Sequence, residues 1–177
     1  MKAAVLTNEG FHITEAPKPV PTADQVLVRV RAAGLNRADL GVIGGGMHGS
    51  QGGAGTVPGL EWAGEIAELG ANAKGLKVGD RVMCSGSGGY AEYAVADWGR
   101  VMAIPSDSMS FEQATSSPIA VTTMHNAIVT AGELRKGETV LIQGASSGVG
   151  LMAMQIAKLM GAKTVIGTSS NPERRAQ

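Results

Sequence analysis

"VLIQGASSGVGLMAMQIAK", residues 140–158, reads as a buried strand, a glycine-rich turn and an amphipathic helix in immediate succession. The run "ETVLIQG" is continuously apolar, as expected of a strand covered on both faces of a parallel sheet. Gly144, Gly148 and Gly150 let main-chain N–H groups approach a phosphate closely, and Ala145, Ser146, Ser147 and Val149 complete the turn. The following helix aims the positive end of its dipole at the same place. Its spacing predicts that Val149, Met152, Ala153, Ile156 and Met160 share one side and that Gly161 stops it. "AKTVIGTSS" (162–170) is a second buried strand, and Asn171 with Pro172 then caps and opens a further helix. This β-α-β context points the glycine triplet at a dinucleotide pyrophosphate; a turn that needs glycine only for packing is the plainer alternative.

The end of the second strand bears on which dinucleotide. A site for NAD usually places Asp or Glu about 20 residues after the loop, to bond the ribose 2′-hydroxyl. Here stand Thr168, Ser169 and Ser170, then Arg174 and Arg175. Hydroxyls and guanidinium groups suit a 2′-phosphate, because Arg can bind it bidentately and no carboxylate repels it. The expectation is NADP(H), against the alternative of a capped surface helix carrying ordinary arginines.

Toward the N-terminus, "PIAVTTMHNAIVTAGELRKG" (118–137) reads as a helix that starts at Pro118 and closes before Gly137. Ser110 and Gln113 have the spacing of a capping box. The first hundred residues are short strands broken by turns: residues 2–7 and 11–17 around "NEG", then "QVLVRVRAAGL", "GLEWAGEIAELG" and "GDRVMCSGSGGYAEYAVAD". In the third of these, Val26, Val28 and Val30 alternate with Leu27, Arg29 and Arg31, a half-buried pattern. Strands at this spacing predict a barrel-like β domain. Between them lies "GVIGGGMHGSQGGAG" (41–55), eight of fifteen residues glycine, either a flexible surface loop or a mobile cover over a site.

Bulk properties narrow the function classes. Fifteen Lys and Arg balance fifteen Asp and Glu, and no basic stripe appears, which argues against a nucleic-acid or membrane-surface partner. Cys84 has no cysteine partner in the chain, which suits a reducing compartment. The apolar run after Met1 is too short for a signal peptide, and no stretch approaches a membrane span. The expected location is cytoplasmic.

"AAGLNRADL" (32–40), "VPGLEWAGEIAELG" (57–70), "KVGDRVM" (77–83), "GGYAEYAV" (88–95) and "VLIQGASSGVG" (140–150), in that order, resemble the medium-chain dehydrogenase/reductase superfamily. More narrowly, the chain is similar to its zinc-independent quinone oxidoreductase branch. The resemblance implies a mixed fold: a GroES-like β-barrel domain over residues 1–115, carrying the substrate cleft, followed by the first part of an α/β Rossmann NADP-binding domain over 116–177. Members run to well over 300 residues, so the chain is expected to be the N-terminal part of a longer reductase. The implied chemistry is hydride transfer from NADPH to a quinone or an α,β-unsaturated carbonyl, and relatives often form homodimers.

By the same resemblance, Asn36 faces the nicotinamide and the substrate oxygen as an amide donor; a turn or helix N-cap is its alternative role. Asp39 is expected to orient that segment, and Thr123 matches a threonine near the nicotinamide. The family's substrate-side tyrosine is not matched in "LGVIGGGMHG", where His48 is a candidate proton donor. Asn36 and Leu60 stand where zinc-dependent relatives carry metal ligands, and His12, His48, His125 and Cys84 are scattered, so no metal site is expected. Two other readings stay open. One is a short non-catalytic GroES-like binding or assembly protein. The other is the short-chain dehydrogenase class, against which the position of the glycine loop behind a β domain speaks.

Overall fold

The computed structural model describes residues 1–47 and 52–176. They form two compact units, Met1–Pro118 and Ile119–Gln177.

Unit 1 begins with an antiparallel hairpin, β1 (Lys2–Thr7) and β2 (Gly10–Glu15). Its main sheet is antiparallel, in the order β6-β3-β4-β5-β7: β3 (Gln25–Ala33), β4 (Glu61–Leu69), β5 (Arg81–Ser85), β6 (Tyr93–Asp97) and β7 (Val101–Ala103). Helix α1 (Arg37–Ile43) follows β3, and α2 (Phe111–Ala114) lies near the end of the unit. The hairpin is tied in by main-chain bonds from Ala4 N to Tyr90 O and from Glu92 N to Lys2 O, at 2.8 and 3.0 Å.

Alternation explains the core. Val26 and Val28 of β3 meet Trp62, Ile66, Val82, Cys84, Ala94 and Ala96 in one buried cluster, and Val30 packs at its margin. Each fully buried aliphatic side chain contributes ~1.5–3 kcal/mol. The half-buried reading of β3 needs one correction. Arg29 and Arg31 are exposed as expected, but Leu27 is fully buried, so the first half of this central strand is covered on both faces. Burial also pushes the Cys84 thiol up to about 12 from its ordinary 9.0. At α2 the capping box forms as its spacing predicts, with Ser110 Oγ accepting from Gln113 N at 3.2 Å.

Unit 2 is one β-α-β unit. Strands β8 (Thr139–Ile142) and β9 (Thr164–Gly167) are parallel, and α4 (Gly148–Leu159) connects them. Ahead of them runs α3 (Pro118–His125), and after them the short α5 (Pro172–Arg175), with Asn171 as its cap.

Three expectations are corrected here. First, α3 does not continue toward Gly137: it passes into one π-helical turn (Asn126–Thr130) and stops. A side chain at Gly132 would lie 2.6 Å from the Ala127 carbonyl oxygen, and Glu133 then takes φ 48°, so the chain leaves the helix there. Second, α4 buries Gly150, Ala153, Ile156 and Ala157, whereas Val149 and Met160 face solvent. The buried stripe is turned toward Gly150, where the helix packs against the main chain of Gly144 and Ala145 in the turn that precedes it. Third, the sheet is not covered on both faces within the described residues, since Leu141 and Ile166 are 59% and 46% exposed.

Candidate functional site

Each unit carries a polar constellation of its own. In unit 2, β8 ends at Ile142 and the chain turns through Gly144 (φ 66°) into Ser147, the N-cap of α4. Ser147 Oγ donates to Gly144 O at 2.8 Å and accepts from Gly150 N at 3.1 Å. The N–H groups of Gly148 and Val149, in the same first turn, have no intrahelical acceptor and carry the helix's positive partial charge.

The three glycines do different work. A side chain at Gly150 would strike Gly144 O and lie 2.7 Å from Ala145 Cα, so this glycine permits close packing of the helix start against the preceding turn. At Gly148 a Cβ would meet nothing within 4 Å, so the space beside this residue is open. Gly144 supplies the left-handed turn. The N–H of Ala145 is already used, donating to Thr168 O at 2.8 Å.

A cleft of about 490 Å³ lies beside this loop at the carboxyl ends of the two strands. Its lining includes Ser146, Thr168, Ser169, Arg174 and Arg175. Ser146 and Ser169 hydroxyls share a hydrogen bond of 2.9 Å, and Arg175 Nη1 donates to Ser169 O at 3.1 Å. Arg174 N is capped by Asn171 Oδ1 at 3.0 Å, and Ser170 is exposed. Both the helix cap and the cationic cleft wall are therefore present. Thr123 is exposed on α3, where its neighbour Thr122 bonds back to Ile119 O at 3.3 Å.

In unit 1, Asn36 is the N-cap of α1, with extended backbone (φ −116°, ψ 147°). Its N–H donates to Asp39 Oδ2 at 2.8 Å, and its side-chain Nδ2 donates to Glu61 Oε1 at 2.8 Å. Tyr90 Oη donates to the same Asp39 Oδ2 at 2.7 Å and lies 3.3 Å from Gly34 O. Asp39 and Glu61 are buried. Burial raises the Tyr90 pKa, and the hydrogen bond and charge of Asp39, with the charge of Glu61, push it further up, so the phenol stays a donor. Asp39 Oδ1 and Thr115 Oγ1 are buried without a hydrogen-bond partner.

Asn36 thus caps a helix and still presents a half-buried carboxamide, and Asp39 holds the segment in place. Glu61 and Tyr90 were not singled out from sequence. Their motifs were visible, but only the fold brings positions 25 and 51 residues apart into contact with Asn36 and Asp39. His48 lies outside the described residues. Among the described residues, no group of three or more His, Cys, Asp or Glu side chains is placed to hold a metal ion. No helix of the described residues is long and apolar enough to cross a membrane.

Comparison with known proteins places these features. Residues 22–106 match the alcohol dehydrogenase GroES-like domain family. The chain is 39% identical over 157 residues to a quinone oxidoreductase of Pongo abelii, a match covering 88% of this chain and 47% of the relative. The chain therefore spans about half the length of the curated relatives it matches. Among solved structures it is similar to the CurK enoyl reductase, with TM-score 0.87, 26% identity, and 99% and 56% of the two chains covered. It is also similar to a quinone oxidoreductase of Thermus thermophilus, solved alone and in complex with NADPH, with TM-score 0.80, 29% identity, and 98% and 55% covered.

Proposed function

We propose, for a chain that belongs to the quinone oxidoreductase branch of the medium-chain dehydrogenase/reductase superfamily, a part in an NADPH-dependent reductase of quinones or α,β-unsaturated carbonyls. The observation that carries this reading is the open main chain at the start of α4. Gly148 and Val149 N–H groups have no intrahelical partner, and position 148 leaves room for a phosphate to approach.

The residues present fit a nicotinamide dinucleotide. Gly148 and Val149 would hold its pyrophosphate, Gly144 and Ser147 would shape the turn, and Ser169, Ser170 and Arg174 would meet a 2′-phosphate. The similar Thermus enzyme has been solved with NADPH, which supports the same choice. When bound, the cofactor supplies the hydride.

The protein's own task is then electrostatic. Reduction of a quinone or enone leaves negative charge on the substrate oxygen, and a preset N–H donor stabilises it as it develops. The Asn36 carboxamide is that donor in this reading, with Thr123 as a contact to the nicotinamide. Asp39 keeps the Asn36 main chain in place, and the protonated Tyr90 phenol fixes Asp39. His48 is retained as a candidate proton donor, and its replacement by Ala should slow turnover.

Competition binding tests the cofactor assignment. With NADPH fluorescence as the signal, 2′,5′-ADP should displace the nucleotide at least tenfold more effectively than 5′-ADP, because only the former carries the phosphate that the arginines would meet. Equal displacement by both would reject 2′-phosphate recognition. NADPH oxidation by the whole protein with a simple quinone tests the reaction itself.

A further inference from the structure

A carboxamide has two dissimilar ends, and a donor that can turn over is half the time an acceptor. The surroundings of Asn36 remove that freedom. Glu61 Oε1 accepts from Asn36 Nδ2 at 2.8 Å, so one orientation of the amide is bonded and the reverse would set two oxygens against each other. The main chain is held separately, because Asp39 Oδ2 receives both Asn36 N–H and Tyr90 Oη, at 2.8 and 2.7 Å.

The fold has made room for this arrangement. A side chain at Gly34 would lie 2.6 Å from Glu61 Cγ and 2.7 Å from Thr115 O, so glycine at 34 lets the carboxylate sit against this turn. Gly34 N also donates to Glu61 O at 2.9 Å, which fixes the strand that carries it. Two acidic side chains, Asp39 at 3% and Glu61 at 5% exposure, are buried here. Buried acids are a poor means of stabilising a fold, since apolar residues of similar size would often do better. Both instead accept hydrogen bonds from Asn36, Asp39 from its main-chain N–H and Glu61 from its side-chain amide.

We propose that Glu61 is a positioning residue that sets the orientation of the Asn36 carboxamide, while Tyr90, through Asp39, sets its main chain. The second Nδ2 hydrogen is then left to an incoming oxygen. The catalytic consequence rests on the reductase reading above; the orientation itself does not.

Two variants test it, Glu61→Gln and Tyr90→Phe, each close in shape to the native side chain. In the ¹⁵N-labelled chain, one Asn36 side-chain N–H should be shifted downfield and protected from exchange by the carboxylate. In Glu61→Gln, whose carboxamide is a weaker acceptor and can turn its N–H₂ end toward Asn36, that shift and protection should be reduced while the main-chain signals of β4 and β5 stay put. In Tyr90→Phe the Asn36 main-chain N–H should move and the side-chain signal should keep its protection. An Asn36 side-chain signal unchanged by Glu61→Gln overturns the proposal. In NADPH oxidation by the whole protein, Glu61→Gln should lower kcat about tenfold to a hundredfold, the scale of a misplaced reacting group, with KM for NADPH unchanged. An unaltered kcat also overturns the positioning role. A native protein that shows the protected signal but oxidises no NADPH contradicts the reductase reading instead, and the response to Glu61→Gln still decides the orientation.

Discussion

Gly148 and Gly150 stand two positions apart in the same helical turn, and alanine at each should act in opposite directions. At Gly150 the new methyl would press on Gly144 O and lie 2.7 and 2.8 Å from Ala145 Cα and carbonyl carbon. All three obstacles are main chain and cannot rotate away. Carbon atoms pack at about 3.5–4.0 Å, so the start of α4 must retreat by about 1 Å. Such overpacking costs about 1–3 kcal/mol. The helix propensity of alanine over glycine returns at most about 1 kcal/mol. With that return in full, Gly150→Ala should be destabilised by up to roughly 2 kcal/mol. At Gly148 no heavy atom lies within 4 Å of the added carbon, and φ is not positive there. Gly148→Ala should be stabilised by about 0.4–1 kcal/mol, mainly through the unfolded chain. If Gly148 lies against the pyrophosphate as proposed, the same methyl occupies the approach of the phosphate. Losing one charge-assisted bond there weakens binding by about 1.5–3 kcal/mol, roughly tenfold to a hundredfold. Urea unfolding and NADPH fluorescence titration of both variants read the two quantities. A Gly148→Ala protein that binds NADPH as well as the native chain would refute the assignment of the open main chain to phosphate. A Gly150→Ala protein of native stability would refute the packing role.

Other outcomes follow from the same geometry. Replacing Arg174 and Arg175 together by Ala should weaken NADPH about tenfold to a hundredfold and leave NADH unchanged, since each guanidinium–phosphate contact is charge-assisted; fluorescence titration with both nucleotides compares them. Cys84 should resist alkylation near neutral pH until the chain unfolds, because burial holds its thiol protonated up to about 12; iodoacetamide labelling followed by mass spectrometry measures this. The same shift has a pH consequence. The native thiol titrates above its ordinary 9.0, so its contribution to stability is complete below that value and is lost as pH rises toward about 12. Tyr90, also raised, acts in the same direction, and urea midpoints across that window should fall. Ser110→Ala should cost about 1 kcal/mol by removing the cap of α2, read as a lower urea midpoint.

The sequence made the local features legible and the long-range ones opaque. Residues 2–7, the shared face of Val26 and Val28, the strand–turn–helix around Ser147 and the caps at Ser110 and Asn171 depend on neighbours within a few positions, and all appear in the structure. The end of α3 was missed because Gly132 acts through the Ala127 and Ile128 carbonyls, a clash that a hydrophobic pattern does not register. The buried stripe of α4 is turned because glycine, which hydrophobic patterning ignores, marks its close approach to the Gly144–Ala145 turn. Strand β7, three residues long, carries too little alternation to be read. At the site, Asn36 and Asp39 were found as neighbours in one motif. Glu61 and Tyr90 join them through the pairing of β3 with β4 and through the main-chain bonds of Tyr90 with Ala4 and Pro58. No local spacing encodes that meeting.

The main-chain N–H groups at the start of α4 are the proposed phosphate site, and an NADPH titration of the ¹⁵N-labelled protein tests it residue by residue. The Gly148 and Val149 amide protons should move downfield more than any others as the nucleotide saturates. Saturation with those two signals unmoved, or the largest shifts falling elsewhere, would contradict it.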